Sequence, residues 1–501
     1  MKNSNKAIER RQRSIDKRLD RRWQPDRTVP VMERGNVCYE VSDRVEAMSA
    51  GGMGMILIIV DRLGLREALD RNVRILRRHR PYLESDHILA MAFNILCGGH
   101  CLEDLELLRR DEAFLNCVGA RRIPDPTTAG DFLRRFHATG VTALLDVVQT
   151  VRASVLHSQP QSERKLARID VDGTITQTDA RCKEKMDVSY DGRWGFAPLL
   201  VTLANTQEIL YVFNRPANRP SYDGAAPWLD KAASWAIEQA GFERVRFRGD
   251  TDFSQTAQLD GWNSKGYEFV FGLDAQPALV KRAQDIADAD WKLFERVKVK
   301  RAKTRAKAPK VKDEVIARRE FKDLTLEEEH FAELPYRPTN TKRDYRLIVL
   351  RKRIRVQKGQ LQFADEIRYF FYISNIEEMA AAELIRENNQ RCNQENIIEQ
   401  FKNGVHGARL PVREFDGNWA YMAIAALAWS LKAWTGLLLP KALGAAQLVR
   451  MEFRKFLREV MLQPAQILKT GRRLVVRLLA VNSWTRLLLD GTKALQAWST
   501  S

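Results

Sequence analysis

The sequence predicts an α/β fold: a mixed β-sheet flanked by helices, with a helical N-terminal domain before it and a β-rich insertion within it. Three observations predict this. From about 55 to 155, apolar residues recur every three or four positions, the period of helices packed on one face. Near 165 the pattern changes to short β-branched or aromatic runs bounded by Gly, Asn, Pro or Asp. Those runs are interleaved with helical stretches, the order expected of a sheet covered by helices.

The elements follow in order. Residues 1–34 are rich in Arg and Lys and read as a basic arm. DHILAMAFNIL, LEDLELL, TAGDFLRRF and VTALLDVVQTV are helices, and Asp125-Pro126-Thr127-Thr128 supplies a capped start for one of them. With the arm they read as one unit over 1–155, of a kind that often binds DNA, without a distinguishable recognition helix. Strands follow at LARIDVDG, FAPLLVTLAN, EILYVFNRP, RVRFRGD and YEFVFGLD. The helical stretch APWLDKAASWAIEQAG lies between the third and fourth. This is the first part of a core, 160–280. Residues 281–365 interrupt it with a basic run (298–307) and a strand, DYRLIVLRKR; the run reads as a phosphate-contacting surface. The core resumes over 366–435 with IRYFFYIS and a long helix from about 377 to 403. Residues 436–501 read as a helical C-terminal region.

Composition narrows the partner. The net charge of +18, from 82 Lys and Arg against 64 Asp and Glu, favours a polyanion, since each cation docked on a phosphate releases a counterion. Six scattered cysteines fit a reducing cytosol better than a disulfide framework. Cys97-Gly-Gly-His100-Cys101 lacks a second ligand pair at finger-like spacing and reads as a turn at Gly98-Gly99. Residues 421–439 approach the length of a membrane span, but Lys432 interrupts them and Pro440 follows, so a buried helix and no membrane are expected. No Gly-x4-Gly-Lys-Ser/Thr loop is present, so ATP is not expected.

Acidic residues at the ends of apolar strands carry the chemistry. Asp170 and Asp172 share one strand face, and Gly173 permits a sharp turn after them. Asp250 and Asp252 follow another strand, before a helix, at the end where α/β sites form. In the helix IRENNQRCNQENIIEQFKNG, Arg391, Glu395 and Lys402 fall at about 0°, 40° and 20°, a single face, with Ile397 and Phe401 roughly opposite. A carboxylate between two cations on one stripe suits metal binding beside phosphate binding. Carboxylates are also the natural ligands for paired Mg²⁺ or Mn²⁺ ions in phosphodiester chemistry.

Asp-Gly-Thr at 172–174, Gly-Asp-Thr-Asp-Phe-Ser at 249–254 and Arg-x3-Glu-x6-Lys at 391–402 resemble the three blocks of bacterial insertion-sequence transposases of the DDE class. The third block is similar to the subgroup signature Tyr-x2-Arg-x3-Glu-x6-Lys, with Asn388 where that signature has Tyr. The resemblance spans roughly 165–435. It implies a ribonuclease-H-like core and a catalytic, metal-binding triad of Asp172, Asp250 and Glu395 holding two Mg²⁺ or Mn²⁺ ions. Asp170 and Asp252 stand as alternatives to the two aspartates. It further implies Arg391, Lys402 and Asn388 as DNA contacts, terminal inverted repeats and target DNA as partners, a homodimer in the synaptic complex, and a bacterial, cytoplasmic, nucleoid-associated setting.

Overall fold

The computed structural model describes residues 2–20, 38–41, 45–78, 81–296, 315, 322–358, 361–362, 365–471 and 473–497. The basic run at 298–307 and most of the second half of the basic arm lie outside them. Five strands form the centre: β1 (Leu166–Gly173), β2 (Leu199–Leu203), β3 (Glu208–Phe213), β4 (Arg244–Gly249) and β5 (Glu268–Leu273). In space they run β3-β2-β1-β4-β5. The first three are antiparallel neighbours, whereas β4 lies parallel to β1 and β5 parallel to β4. This is a mixed sheet in the order expected of a ribonuclease-H-like core, and it sets the ends of β1 and β4 side by side.

Alternation in β1 explains its two faces. Ala167, Ile169 and Val171 are fully buried and point to one side, where the helix Ala225–Ser234 packs. Arg168, Asp170 and Asp172 point to the other, toward the helices that carry Arg391 and Glu395. The outer half of the sheet departs from the sequence reading. Strands β6 (Lys322–Tyr336) and β7 (Tyr345–Lys358) form a long hairpin, and β8 (Glu366–Ser374) joins it to β5. The segment read as an insertion therefore extends the core sheet. Leu347 and Val349 of β7 bury one face beside Phe371, and Ile348 and Leu350 bury the other beside Tyr372. A strand buried on both faces needs such a continuous apolar run.

The N-terminal helices include α1 (Glu84–Leu96) and α2 (Ala138–His157). Asp125 caps the helix between them, accepting from the Thr128 amide at 2.9 Å as its sequence foretold. Between α1 and the next helix, Gly98 takes a φ of +91°, the turn expected at Gly98-Gly99. The last region is not purely helical. Strands Ala465–Thr470 and Arg473–Leu478 form a hairpin that pairs with Ala47–Met48, tying the last region to the N-terminal one. Short strands with charged residues on the outer face give little periodic signal, which is why the sequence did not show them.

The helix α3 (Phe415–Leu438) is apolar and long enough to cross a membrane, yet 89% of its most apolar window is buried inside this fold. It packs against α1, α2 and β3. Lys432 is wholly buried in it, 3.9 Å above the Trp429 ring, and donates to the Val449 and Met451 carbonyls at 3.0 and 2.6 Å. Burial pushes its pKa down to about 7, against the pull of Glu208. A neutral amine still has two N–H groups for the two carbonyls. The unfolded chain binds this proton up to its ordinary pKa of 10.5, while the folded chain releases it near 7, so stability rises with pH across that window. The gain reaches on the order of 5 kcal/mol. Lys432→Met is expected to flatten this slope in denaturant titrations from pH 7 to 10, and an unchanged slope would refute a buried neutral lysine.

Candidate active site

Asp172 stands near the end of β1, paired across to Leu200, with its side chain 17% exposed. The Arg391 guanidinium lies 3.1 Å from its Oδ2. Burial raises its pKa to about 6, the Asp250 carboxylate adds to the rise, Arg391 opposes it, and Glu395 contributes a smaller upward push. Asp172 thus feels both other members of the expected triad. Asp250 follows β4 in extended backbone and accepts from the Asp252 amide at 3.1 Å. Its pKa is raised by burial against the pull of Arg391, with Asp252 and Asp274 adding repulsion. Gly272 of β5 allows this turn to pack close, because a Cβ there would meet the Thr251 amide at 2.9 Å. Gly173 acts differently from the turn expected of it. It closes β1 in regular pairing, and a Cβ on it would sit 3.3 Å from the Arg215 guanidinium.

The helix bearing the third block is broken. α4 (Ala381–Asn389) ends at Gln390, and α5 (Cys392–Glu399) starts after Arg391 with tight i→i+3 bonds. A π-turn follows over Gln400–Gly404. The single 377–403 helix of the sequence reading is therefore incorrect. The pair Asn388-Asn389, weak in helix propensity, stands just before the break. Ile397 and Phe401 are buried as expected, and Glu395 is exposed. Lys402, turned by the π segment, donates to the Ile175 carbonyl at 3.1 Å and approaches the Thr174 hydroxyl at 3.4 Å. The break leaves Arg391 on Asp172 and Lys402 on the loop just after it.

Two of the named residues have other partners. Asp170 is buried and held by Arg248, Nε to Oδ1 at 2.6 Å and Nη2 to Oδ2 at 2.8 Å. Arg248 also reaches Glu387 at 3.4 Å, and Glu387 in turn pairs with Arg168 at 2.8 Å and Arg246 at 3.2 Å. Burial pushes Glu387 up, but Arg168, Arg248 and Arg246 together hold it below the usual carboxylate range. Asn388 is likewise buried: with its amide turned to donate, it reaches the Val270 and Gly249 carbonyls at 3.1 and 3.3 Å. These contacts lock α4 onto β4 and β5. Asp252 is exposed.

A family model described as transposase DDE domain group 1 matches residues 42–500. The chain belongs to this DDE transposase family. No curated protein matches the sequence. A solved structure similar to it is the cryo-EM structure of a piggyBac transposase synaptic complex with hairpin DNA. It shares 10% identity over 89% of this chain and 85% of that chain, with a TM-score of 0.35.

DDE domains work with divalent metal, and the residues present fit one. Asp172 is a buried carboxylate whose charge is opposed by Asp250 and Glu395, a donor set that a divalent cation would relieve. Among the described residues no three acidic, His or Cys side chains are drawn tight enough to form a ready cage. The sequence reading missed Arg248, Glu387 and Arg215. A signal for the first was present: Arg244, Arg246 and Arg248 recur at period two, and the parallel register sets Arg248 beside Asp170.

Proposed function

We propose that this DDE-family protein cuts the ends of its element's DNA and joins the freed 3′-hydroxyls to target DNA, with Asp172, Asp250 and Glu395 as the catalytic carboxylates. The observation that carries this reading is the convergence of the Asp250 and Glu395 charges on Asp172, near the end of β1 beside Arg391. Mg²⁺ or Mn²⁺ ions held by these carboxylates would supply charge neutralisation at phosphorus and activation of the attacking oxygen. The chain's own cations do the rest. Arg391 is positioned to exchange Asp172 for a non-bridging phosphate oxygen, for which its planar fork is suited. Lys402, beside Thr174, adds a second positive charge on the same side. Asp170 belongs to the support beneath the site, since its two oxygens are committed to Arg248.

The DNA partners in this reading are two terminal inverted repeats and a target, bound by a homodimer without ATP in a bacterial cytoplasm. The deciding experiment incubates the protein with DNA bearing the element's own ends and Mg²⁺ or Mn²⁺. Joined products support the proposal. Cutting without joining identifies a nuclease, and tight binding without cutting in either metal identifies a DNA-binding regulator.

A further inference from the structure

Beside Asp172 lies a pocket of about 690 Å³, and apart from Lys402 and Thr174 no step above uses its lining. Its floor begins with Gly173 and Thr174, so it opens next to the first catalytic aspartate. Three features of its wall are unusual together. Tyr190 is 92% exposed on a tight turn and Tyr222 is 52% exposed on a loop, so neither ring serves the core. Arg215 is 2% exposed, and its Nη2 has no hydrogen-bond partner. The rest of that guanidinium is fixed, with Nε on the Ala197 carbonyl at 2.8 Å and Nη1 on the carbonyls of Ser221 and Asp223 at 2.8 and 2.6 Å. A buried cation held rigid with one edge left over is aimed at an acceptor that comes from outside.

The remaining charges agree. Lys402, Arg193 and Arg219 line the same pocket. Arg193 rests on Asp191 at 2.8 Å and Arg219 on Asp223 at 3.6 Å, exposed pairs that exchange for a phosphate at little cost. Asp252, also in the lining, would repel a phosphate, but it is a suitable acceptor for a base amino group. Two free aromatic faces among cations form the combination that binds unpaired nucleic acid, the rings stacking on bases and the cations holding the backbone. A pocket of this volume takes a nucleotide and not a double helix.

The geometry points to a binding site for an unpaired nucleotide of the DNA strand that enters or leaves the triad, stacked on Tyr190 or Tyr222 with its phosphate on Arg215. It rests on the reading above, because DNA at the triad is what delivers the nucleotide. Its test does not require catalysis. Fluorescence anisotropy in EDTA compares a blunt duplex carrying the element end with the same duplex bearing four unpaired thymidines. The wild-type protein binds the splayed DNA more tightly. Of Tyr190→Ala and Tyr222→Ala, at exposed positions, at least one reduces that preference by about tenfold while blunt-duplex affinity holds. Arg215→Lys, checked for folding by circular dichroism, lowers it as well. Equal affinity of wild type for the two DNAs overturns the inference, even where cutting and joining proceed and the proposed function stands. An undiminished preference in both tyrosine variants overturns it too. A preference lost in those variants, in a protein that never cuts, leaves the pocket established and the transposition chemistry refuted.

Discussion

Alanine at Asp172, Asp250 or Glu395 is expected to lower metal-dependent DNA cleavage by about a thousandfold or more, while affinity for the element's ends is retained. Charge neutralisation at a phosphodiester transition state is worth several kcal/mol, and about 4 kcal/mol corresponds to that loss. The phosphate contacts that set affinity lie on other side chains, so binding survives. A gel assay of cleaved and joined products, run beside filter binding, reads both. Full activity in any one variant would remove that residue from the triad.

Asp172 supports a finer expectation. Its pKa is raised to about 6 by burial, by Asp250 and, less, by Glu395. The folded chain therefore holds this proton more tightly than the unfolded chain, whose carboxyl titrates near 3.8. Relative stability is fully present below about 4 and is lost as pH rises through 6, so at pH 7 the ionised group costs about 3 kcal/mol. In metal-free buffer at pH 7, Asp172→Asn is accordingly expected to melt no lower than wild type. Adding Mg²⁺ or Mn²⁺ should raise the wild-type midpoint and leave the variant's unmoved, because only the wild-type fold gains a bound ion.

The core was legible wherever periodicity and burial agree. Ile169 and Val171 between Asp170 and Asp172 give both the strand and its two faces, and five such runs in order give the sheet. The chemistry was legible because a carboxylate at the end of an apolar strand is conspicuous. Other features could not be read, and the reasons are physical. Whether Asp170 or Asp172 faces the site depends on what lies across from each, and that is set by the register of β4, not by β1's own pattern. The break at Gln390 and the π-turn at Lys402 are tertiary adjustments, so an angle computed on one ideal helix could not foresee Lys402 reaching Ile175. The burial of the Asn388 side chain was hidden for the same reason: beyond the helix wheel, its surroundings are the carbonyls of two strands distant in sequence.

Arg248→Met is expected to destabilise the fold by about 3–5 kcal/mol, lowering the thermal midpoint by about 10 °C. Asp170 is 1% exposed, and both of its oxygens rest on that guanidinium. Removing the cation leaves a carboxylate in the interior without its partner, and it must either stay charged at high cost or take up a proton. Replacing both members, as Asp170→Leu with Arg248→Met, should recover much of the loss, since a buried ion pair exchanged for apolar packing is often neutral. Catalysis separates the neighbouring aspartates. Asp170→Asn should lower the melting midpoint yet retain cleavage at a temperature where it is folded, whereas Asp172→Asn keeps its midpoint and loses cleavage. The reverse pattern would transfer the metal-binding role to Asp170. Glu387 connects this support to the site: through Arg248, Arg246 and Arg168 it fixes α4, and α4 sets where Arg391 meets Asp172. Glu387→Gln keeps the shape but weakens those three contacts, so its cleavage rate should fall while its affinity for DNA does not.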